Sequence, residues 1–266
     1  MIRNRARALG RTPALFLHED AAAEIEERLN EVNRTFTSAA VVTGFAEPWR
    51  EILPQAKIVP DDETLALEPG AHDLVIHALG LHWSNDPVGQ IVQCHRALRP
   101  DGLFLAVMFG GQTLVELRAA LAEAEIAVAG GLSPRVLPMA EIRDLGALLQ
   151  RAGFALPVAD AVTRKVTYRD ALHLMADLRA MGEGNALQAR KRTATLRAVF
   201  AKAVQIYGEA YAEPDERVRA TFEMIYLTGW APHESQQKPL RPGSAQQRLA
   251  DALGAAQALP ATPCAD

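Results

Sequence analysis

The run His72–Met108, HDLVIHALGLHWSNDPVGQIVQCHRALRPDGLFLAVM, constrains the fold more than any other stretch of this chain. Asp73-Leu74-Val75-Ile76 is apolar, rich in β-branched residues and too short for a helix, which predicts a buried strand. A loop over Ala78 to Asp86 follows. Asp86-Pro87 supplies an N-cap acid and a proline at the first helical position. Val88, Ile91, Val92, Ala97 and Leu98 then mark one helical face. Arg99-Pro100-Asp101-Gly102 stops that helix, with the glycine expected to take the turn conformation. Leu103 to Phe109 is a second buried strand. Strand, helix, strand in this length is one βαβ unit, and such units join parallel strands by a right-handed crossover.

The rest of the chain extends that unit in both directions. Ala21 to Phe36 predicts an amphipathic helix, Ala39 to Val42 a first strand, Pro48 to Leu53 a helical turn and Lys57-Ile58-Val59 a second strand. Thr113 with Glu116 three positions on predicts a capping box opening a helix to about Val128. Further helices are expected over Glu141 to Ala152, Tyr168 to Met181 and about Leu187 to Tyr211, and strands over Leu156 to Thr167 and Thr221 to Gly229. This alternation predicts an α/β fold: a doubly wound, mostly parallel sheet with a helical cap. The expected organisation is a helical segment over 1–37, an α/β domain over 38–240 with a helical insertion at about 168–211, and a flexible tail over 241–266.

Bulk properties exclude some functions. A net charge of −4 argues against a dedicated nucleic-acid binder. Cys94 and Cys264 offer neither a disulfide framework nor a zinc pattern, so a reducing cytoplasm is expected. No apolar run approaches the roughly 20 residues needed to span a bilayer. The start MIRNRARALGR carries four arginines. It lacks the apolar core of a secretory signal, although a basic start also suits a transit segment.

Three segments carry a family resemblance: LGLHWSND (Leu79–Asp86), MFGGQTLVELR (Met108–Arg118) and GWAPHESQ (Gly229–Gln236). With the βαβ unit they resemble the class I S-adenosylmethionine-dependent methyltransferases. The branch they resemble contains assembly factors of respiratory complex I and is similar to the biotin-synthesis carboxyl methyltransferases. The likeness runs from about Arg3 to about Ser244, and in that family Asp73 would open the fourth strand. It implies S-adenosyl-L-methionine as cofactor and a protein or small carboxylic acid as substrate. It also allows a second role, in which the fold is a non-catalytic or hydroxylating platform for a respiratory-complex subunit.

The cofactor cradle departs from the family. A sulfonium nucleoside needs glycines after the first strand, for close backbone approach, and an acid after the second for the ribose hydroxyls. Here Val42-Thr43-Gly44-Phe45-Ala46-Glu47-Pro48 leaves only Gly44, and Phe45 adds a ring where space is needed. The Gly44–Asp73 connection is too short for the usual elements, and IVPDDETLAL (Ile58–Leu67) matches the family's third-strand region, so a strand and a flanking helix are missing. The leading reading is a damaged cofactor site. The alternative is a divergent working site with Asp61 or Asp62 on the ribose.

Gly44, Asp61, Asp62, Ala78 and Leu79 are the candidate cofactor residues. His82, Trp83, Gly110, Gly111, His233 and Glu234 are the candidate substrate residues, and none is assigned a catalytic role. His82 and Trp83 equally suit ordinary packing. His82, His233 and Glu234 have the composition of a facial iron triad, but no spacing brings them together and no metal is assigned. Arg118, Arg179 and Arg190 are either acid anchors or solvated helix faces. The helices from Tyr168 to Tyr211 are expected to cap the carboxyl ends of the strands, hinged at Gly182–Asn185.

Overall fold

Each β-branched run forms a strand, and the strands order as β2-β1-β3-β4-β6-β5 in one six-stranded sheet. They are β1 (Ala39–Thr43), β2 (Lys57–Val59), β3 (His72–Ala78), β4 (Leu98–Phe109), β5 (Ala155–Tyr168) and β6 (Val218–Trp230). The computed structural model describes residues 1–236. The chain divides into two units, Met1–Pro232 and His233–Asp266. The tail expected over 241–266 lies outside the described residues.

β1 pairs parallel with both β2 and β3, and β3 pairs parallel with β4, setting Leu74 opposite Leu103 and Ile76 opposite Leu105. The βαβ unit is therefore as its sequence requires. β6 is antiparallel to β4 and to β5. Two strands precede the Asp73 run, one fewer than the family numbering assigns, as the short Gly44–Asp73 connection implies. Asp73 ties that junction together. Its carboxylate accepts from Thr37 N at 2.7 Å and Ser38 N at 2.9 Å. Its partial burial opposes ionisation, but those bonds outweigh it and hold the carboxyl below its ordinary range.

Alternate strand residues face opposite sides and build two apolar layers. Val41, Leu74, Ile76, Leu103 and Leu105 pack with α2 (Phe16–Val32), α5 (Val115–Ala129), α7 (Ala171–Ala180) and α8 (Arg197–Tyr211). Ala40, Val42, Val75, Phe104 and Ala106 pack with α4 (Pro87–Ala97) and α6 (Ile142–Arg151). The remaining helices are α1 (Ile2–Leu9) and the short α3 (Glu47–Ile52). Helices on both faces make the sheet doubly wound.

Four local expectations need correction. Asp101, not Gly102, takes the left-handed conformation (φ 64°) after α4. α2 begins at Phe16 and ends at Asn33 in the left-handed conformation, earlier at both ends than periodicity indicated. α8 begins only at Arg197, so residues 187–196 are irregular. The Thr113–Glu116 capping box does not form, because Leu114 is left-handed (φ 55°) at the N-cap position. Instead Thr113 Oγ1 donates to Glu223 O at 3.1 Å and accepts from Glu223 N at 3.0 Å. Buried Glu116 accepts from Thr221 N at 3.1 Å and from Thr221 Oγ1. The pair locks α5 to β6 rather than closing its own helix.

That lock is measurable. Charge-assisted buried hydrogen bonds are worth more than a cap, so Glu116→Ala should lower stability by about 2–3 kcal/mol in chemical denaturation. A loss under about 1 kcal/mol would indicate only a helix-end role.

Candidate functional site

Parallel strands leave their carboxyl ends on one rim, where ligands of doubly wound sheets bind. Gly44 after β1, Asp61 and Asp62 after β2, Ala78–Asp86 after β3 and Phe109–Gln112 after β4 all fall there. The acidic loop after β2 is pinned by α4. His77 Nε2 and Gln90 Oε1 lie 2.7 Å apart, and Gln90 Nε2 donates to Asp62 O at 2.9 Å. Gln93 Oε1 accepts from Leu65 N at 2.8 Å, and its Nε2 donates to Glu63 O at 3.0 Å. These glutamines carry no motif. Only their spacing on the α4 face that meets the loop marks them.

The space between Gly44, Asp61 and Leu79 is filled by Arg5 from α1. Arg5 is 5% exposed. Its Nη1 donates to the Asp61 carboxylate as a buried ion pair, and its Nη2 donates to Leu79 O at 3.3 Å. A β-carbon added at Gly44 would sit 2.6 Å from Arg5 Nη1 and 2.8 Å from its Cζ. Gly182, at φ +77°, covers the same side chain, and a β-carbon there would be 3.1 Å from Arg5 Cγ. At Gly80 an added β-carbon would be 2.6 Å from Asp61 Oδ2. Phe45 is not the obstruction its sequence position suggested. Its buried ring packs edge-on against His18 with centroids 5.0 Å apart, and the bulk at Gly44 is Arg5.

His82 and Trp83 converge on Glu183, from the irregular segment after α7. His82 Nε2 lies 3.3 Å from Glu183 Oε2, and Trp83 Nε1 donates to the same oxygen. Burial would raise the Glu183 carboxyl. The His82 charge, both hydrogen bonds and the nearby Arg5 outweigh it and hold the carboxyl below its ordinary range. Beside Glu183 lies a cavity of about 300 Å³ walled by Phe109, Leu117, Met175, Leu178 and Phe200. The end of α7 and the start of α8 therefore close over the rim, while the rest of α8 packs along α5.

Other predicted residues play different parts. Gly110 is pressed on Ile225 and Gly111 on Glu141, where an added β-carbon would be 2.6 Å and 2.5 Å away, and neither lines the cavity. Ala78 is buried in β3, and Leu79 is strained (φ 48°). His233 and Glu234 fall in the second unit, where His233 Nδ1 lies 2.7 Å from Ser235 Oγ. Among the described residues no three His, Cys, Asp or Glu side chains stand close enough to hold a metal. Arg118 bonds Gly111 O and Thr113 O, Arg190 bonds Leu187 O, and Arg179 is exposed and lines the cavity beside Glu183. Arg5 itself was missed. The three arginines of the short basic helix α1 look alike, and only their approach to Gly44 tells them apart.

Comparison with known proteins agrees with this geometry. Residues 22–106 match the family model described as Methyltransferase domain, and the chain carries a methyltransferase domain over that stretch. It is 41% identical over 199 residues to the zebrafish (Danio rerio) protein named Arginine-hydroxylase NDUFAF5, mitochondrial, covering 75% of this chain and 62% of that one. The human protein of that name is 41% identical over 193 residues, covering 73% and 56%. A malonyl-[acyl-carrier protein] O-methyltransferase of Xylella fastidiosa is 36% identical over 179 residues, covering 67% and 58%. The chain thus spans about three fifths of the length of these relatives. A solved methyltransferase structure from Bacillus halodurans aligns at a TM-score of 0.48 and 13% identity, over 78% of this chain and 99% of that one.

Two predictions follow from the burial here. Removing one member of a buried ion pair strands the other, so Arg5→Ala should cost about 3 kcal/mol, while Arg5→Met with Asp61→Leu should stay near native stability. Equal losses in the two variants, read by urea denaturation, would contradict this. Burial also lowers the His18 ring from 6.5 to about 3 and the His77 ring from 6.5 to about 4. Both bind protons more readily unfolded, so their contribution is complete above pH 6.5 and is lost as pH falls to about 4 for His77 and about 3 for His18. His77→Asn should flatten that part of the stability–pH curve, and an unchanged slope would contradict it.

Proposed function

We propose that this chain uses the methyltransferase fold to engage a protein partner, and that its crevice as folded does not accept S-adenosyl-L-methionine. The observation that carries this reading is Arg5. A sulfonium nucleoside needs open backbone at Gly44 and a free acid at Asp61 or Asp62. Arg5 fills the first and pairs with Asp61, and Leu79 O is engaged as well. The residues present do not fit the cofactor, and no methyl-transfer step is derived through it.

The partner side rests on the neighbouring cavity. It is largely apolar, about 300 Å³, with Glu183, Arg135 and Arg179 at its polar edge. Such a pocket suits a largely apolar side chain of a partner. The relatives named arginine hydroxylases support a polypeptide substrate carrying arginine, and the family likeness supports a respiratory-complex subunit as its source. No helix among the described residues is long and apolar enough to cross a membrane.

A second reading, methyl transfer to a small carboxylic acid, is favoured by one observation: Asp61 stands after β2, where a ribose acid belongs, beside the likeness to an O-methyltransferase. Calorimetry separates the two. The native chain should bind S-adenosylmethionine and S-adenosylhomocysteine more weakly than about 1 mM, or about −4 kcal/mol. Low-micromolar binding, about −8 kcal/mol, lost on Asp61→Ala, would establish the second reading instead.

A further inference from the structure

The group in the crevice is informative by its chemistry. A guanidinium is a planar fork with donors in fixed directions. Here one Nη meets the Asp61 carboxylate and the other meets a backbone carbonyl, Leu79 O. Leu79 presents that carbonyl from a left-handed conformation (φ 48°) that few non-glycine residues adopt. Gly44 leaves room for the flat group, and Gly182 leaves room for the Arg5 stem and backbone. Glu183 adds a second carboxylate within electrostatic reach. Apolar residues would close this space at less desolvation cost, so a fork-shaped polar site needs a reason.

The element that carries Arg5 is lightly attached. α1 buries only Arg5 and Ala8, and leaves Ile2 69% and Leu9 56% exposed. Beyond Arg5, its side-chain bond to the body is Asn4 Nδ2 to Gly184 O at 2.8 Å. Withdrawing α1 therefore sacrifices little apolar burial. It would leave Asp61 and Leu79 O with unmet acceptors in a shaped slot.

We propose that the crevice between Gly44, Asp61, Leu79 and Gly182 is a guanidinium-binding site, and that Arg5 is its resident ligand, held in competition with an arginine side chain of a protein partner. The inference rests on the reading that the chain engages a polypeptide, and it names the site and its regulation. Because Arg5 is tethered, its local concentration is high, so a partner's arginine wins only when further contacts support it. α1 then acts as a latch that admits a docked partner and excludes free arginine.

Chemical rescue tests this on the full chain. Arg5→Ala should melt at lower temperature than the native protein, and millimolar ethylguanidinium should restore most of the loss. Propylammonium should not, and the Arg5→Ala/Asp61→Asn variant should not respond to either. An arginine-containing peptide should bind Arg5→Ala at least about tenfold more tightly than the native chain. If Arg5→Ala does not fold, Arg5→Lys decides: it keeps the charge without the fork and should still lose stability. The proposal is overturned if Arg5→Lys is as stable as the native chain, if ethylguanidinium and propylammonium rescue alike, or if Arg5→Ala binds S-adenosylhomocysteine but no guanidinium. Tight S-adenosylmethionine binding by the native chain would sink the functional reading alone, since rescue of Arg5→Ala is read independently.

Discussion

The buried pair between Arg5 and Asp61 is the interaction on which the rim depends. A guanidinium and a carboxylate each lose several kcal/mol of hydration on burial, and only good geometry with further partners recovers it. The surroundings meet that demand at both Nη atoms, while Arg5 Nε is buried without a hydrogen-bond partner. Leu79 turns a carbonyl inward, Gly44 and Gly182 give up their side chains, and α4 fixes the Asp61 loop through Gln90 and Gln93. The N-terminal helix, the carboxyl ends of β1, β2 and β3, and the segment after α7 are thus joined through one side chain.

This pair also explains how a methyltransferase sheet tolerates a shortened N-terminal half. With two strands rather than three ahead of the Asp73 run, the crevice has lost part of its wall. An open slot there would expose Asp61 and the β1 terminus. α1 covers them, and His18 and Trp49 close the layer beneath, with Trp49 Nε1 donating to His18 Nδ1 at 3.3 Å. The Glu183–His82–Trp83 cluster forms a second polar knot beside the first. Between it and α5 lies the apolar cavity, and a second cavity of about 710 Å³ opens beside Asp61, Asp62 and Trp83.

Much of this fold was legible in the sequence because strands and helices here obey simple periodicities. The βαβ unit around Asp86-Pro87 was fixed by a cap acid, a proline and two β-branched runs, and each of the six strands follows its run. Expectations failed where tertiary contacts override local chemistry. Thr113 and Glu116 satisfy a capping pattern but find stronger partners on β6. Asp101 takes the left-handed turn beside a glycine that suits it better. At the site, Gly44 was visible as the one glycine left of a family pattern and Asp61 as a candidate ribose acid, and Glu183 was not, lying a hundred residues from Trp83. Arg5 was invisible because burial of a charge is decided by a partner remote in sequence, and nothing in a basic helix marks which arginine turns inward.

The chain's own Arg5 fills the crevice between Gly44, Asp61 and Leu79. A crystal structure of the full chain grown with saturating S-adenosylhomocysteine tests it most directly. The account predicts continuous density for the Arg5 guanidinium between Gly44 and Asp61, with α1 docked and no nucleoside on Asp61. A ribose bound to Asp61, with α1 displaced from the rim, would contradict it.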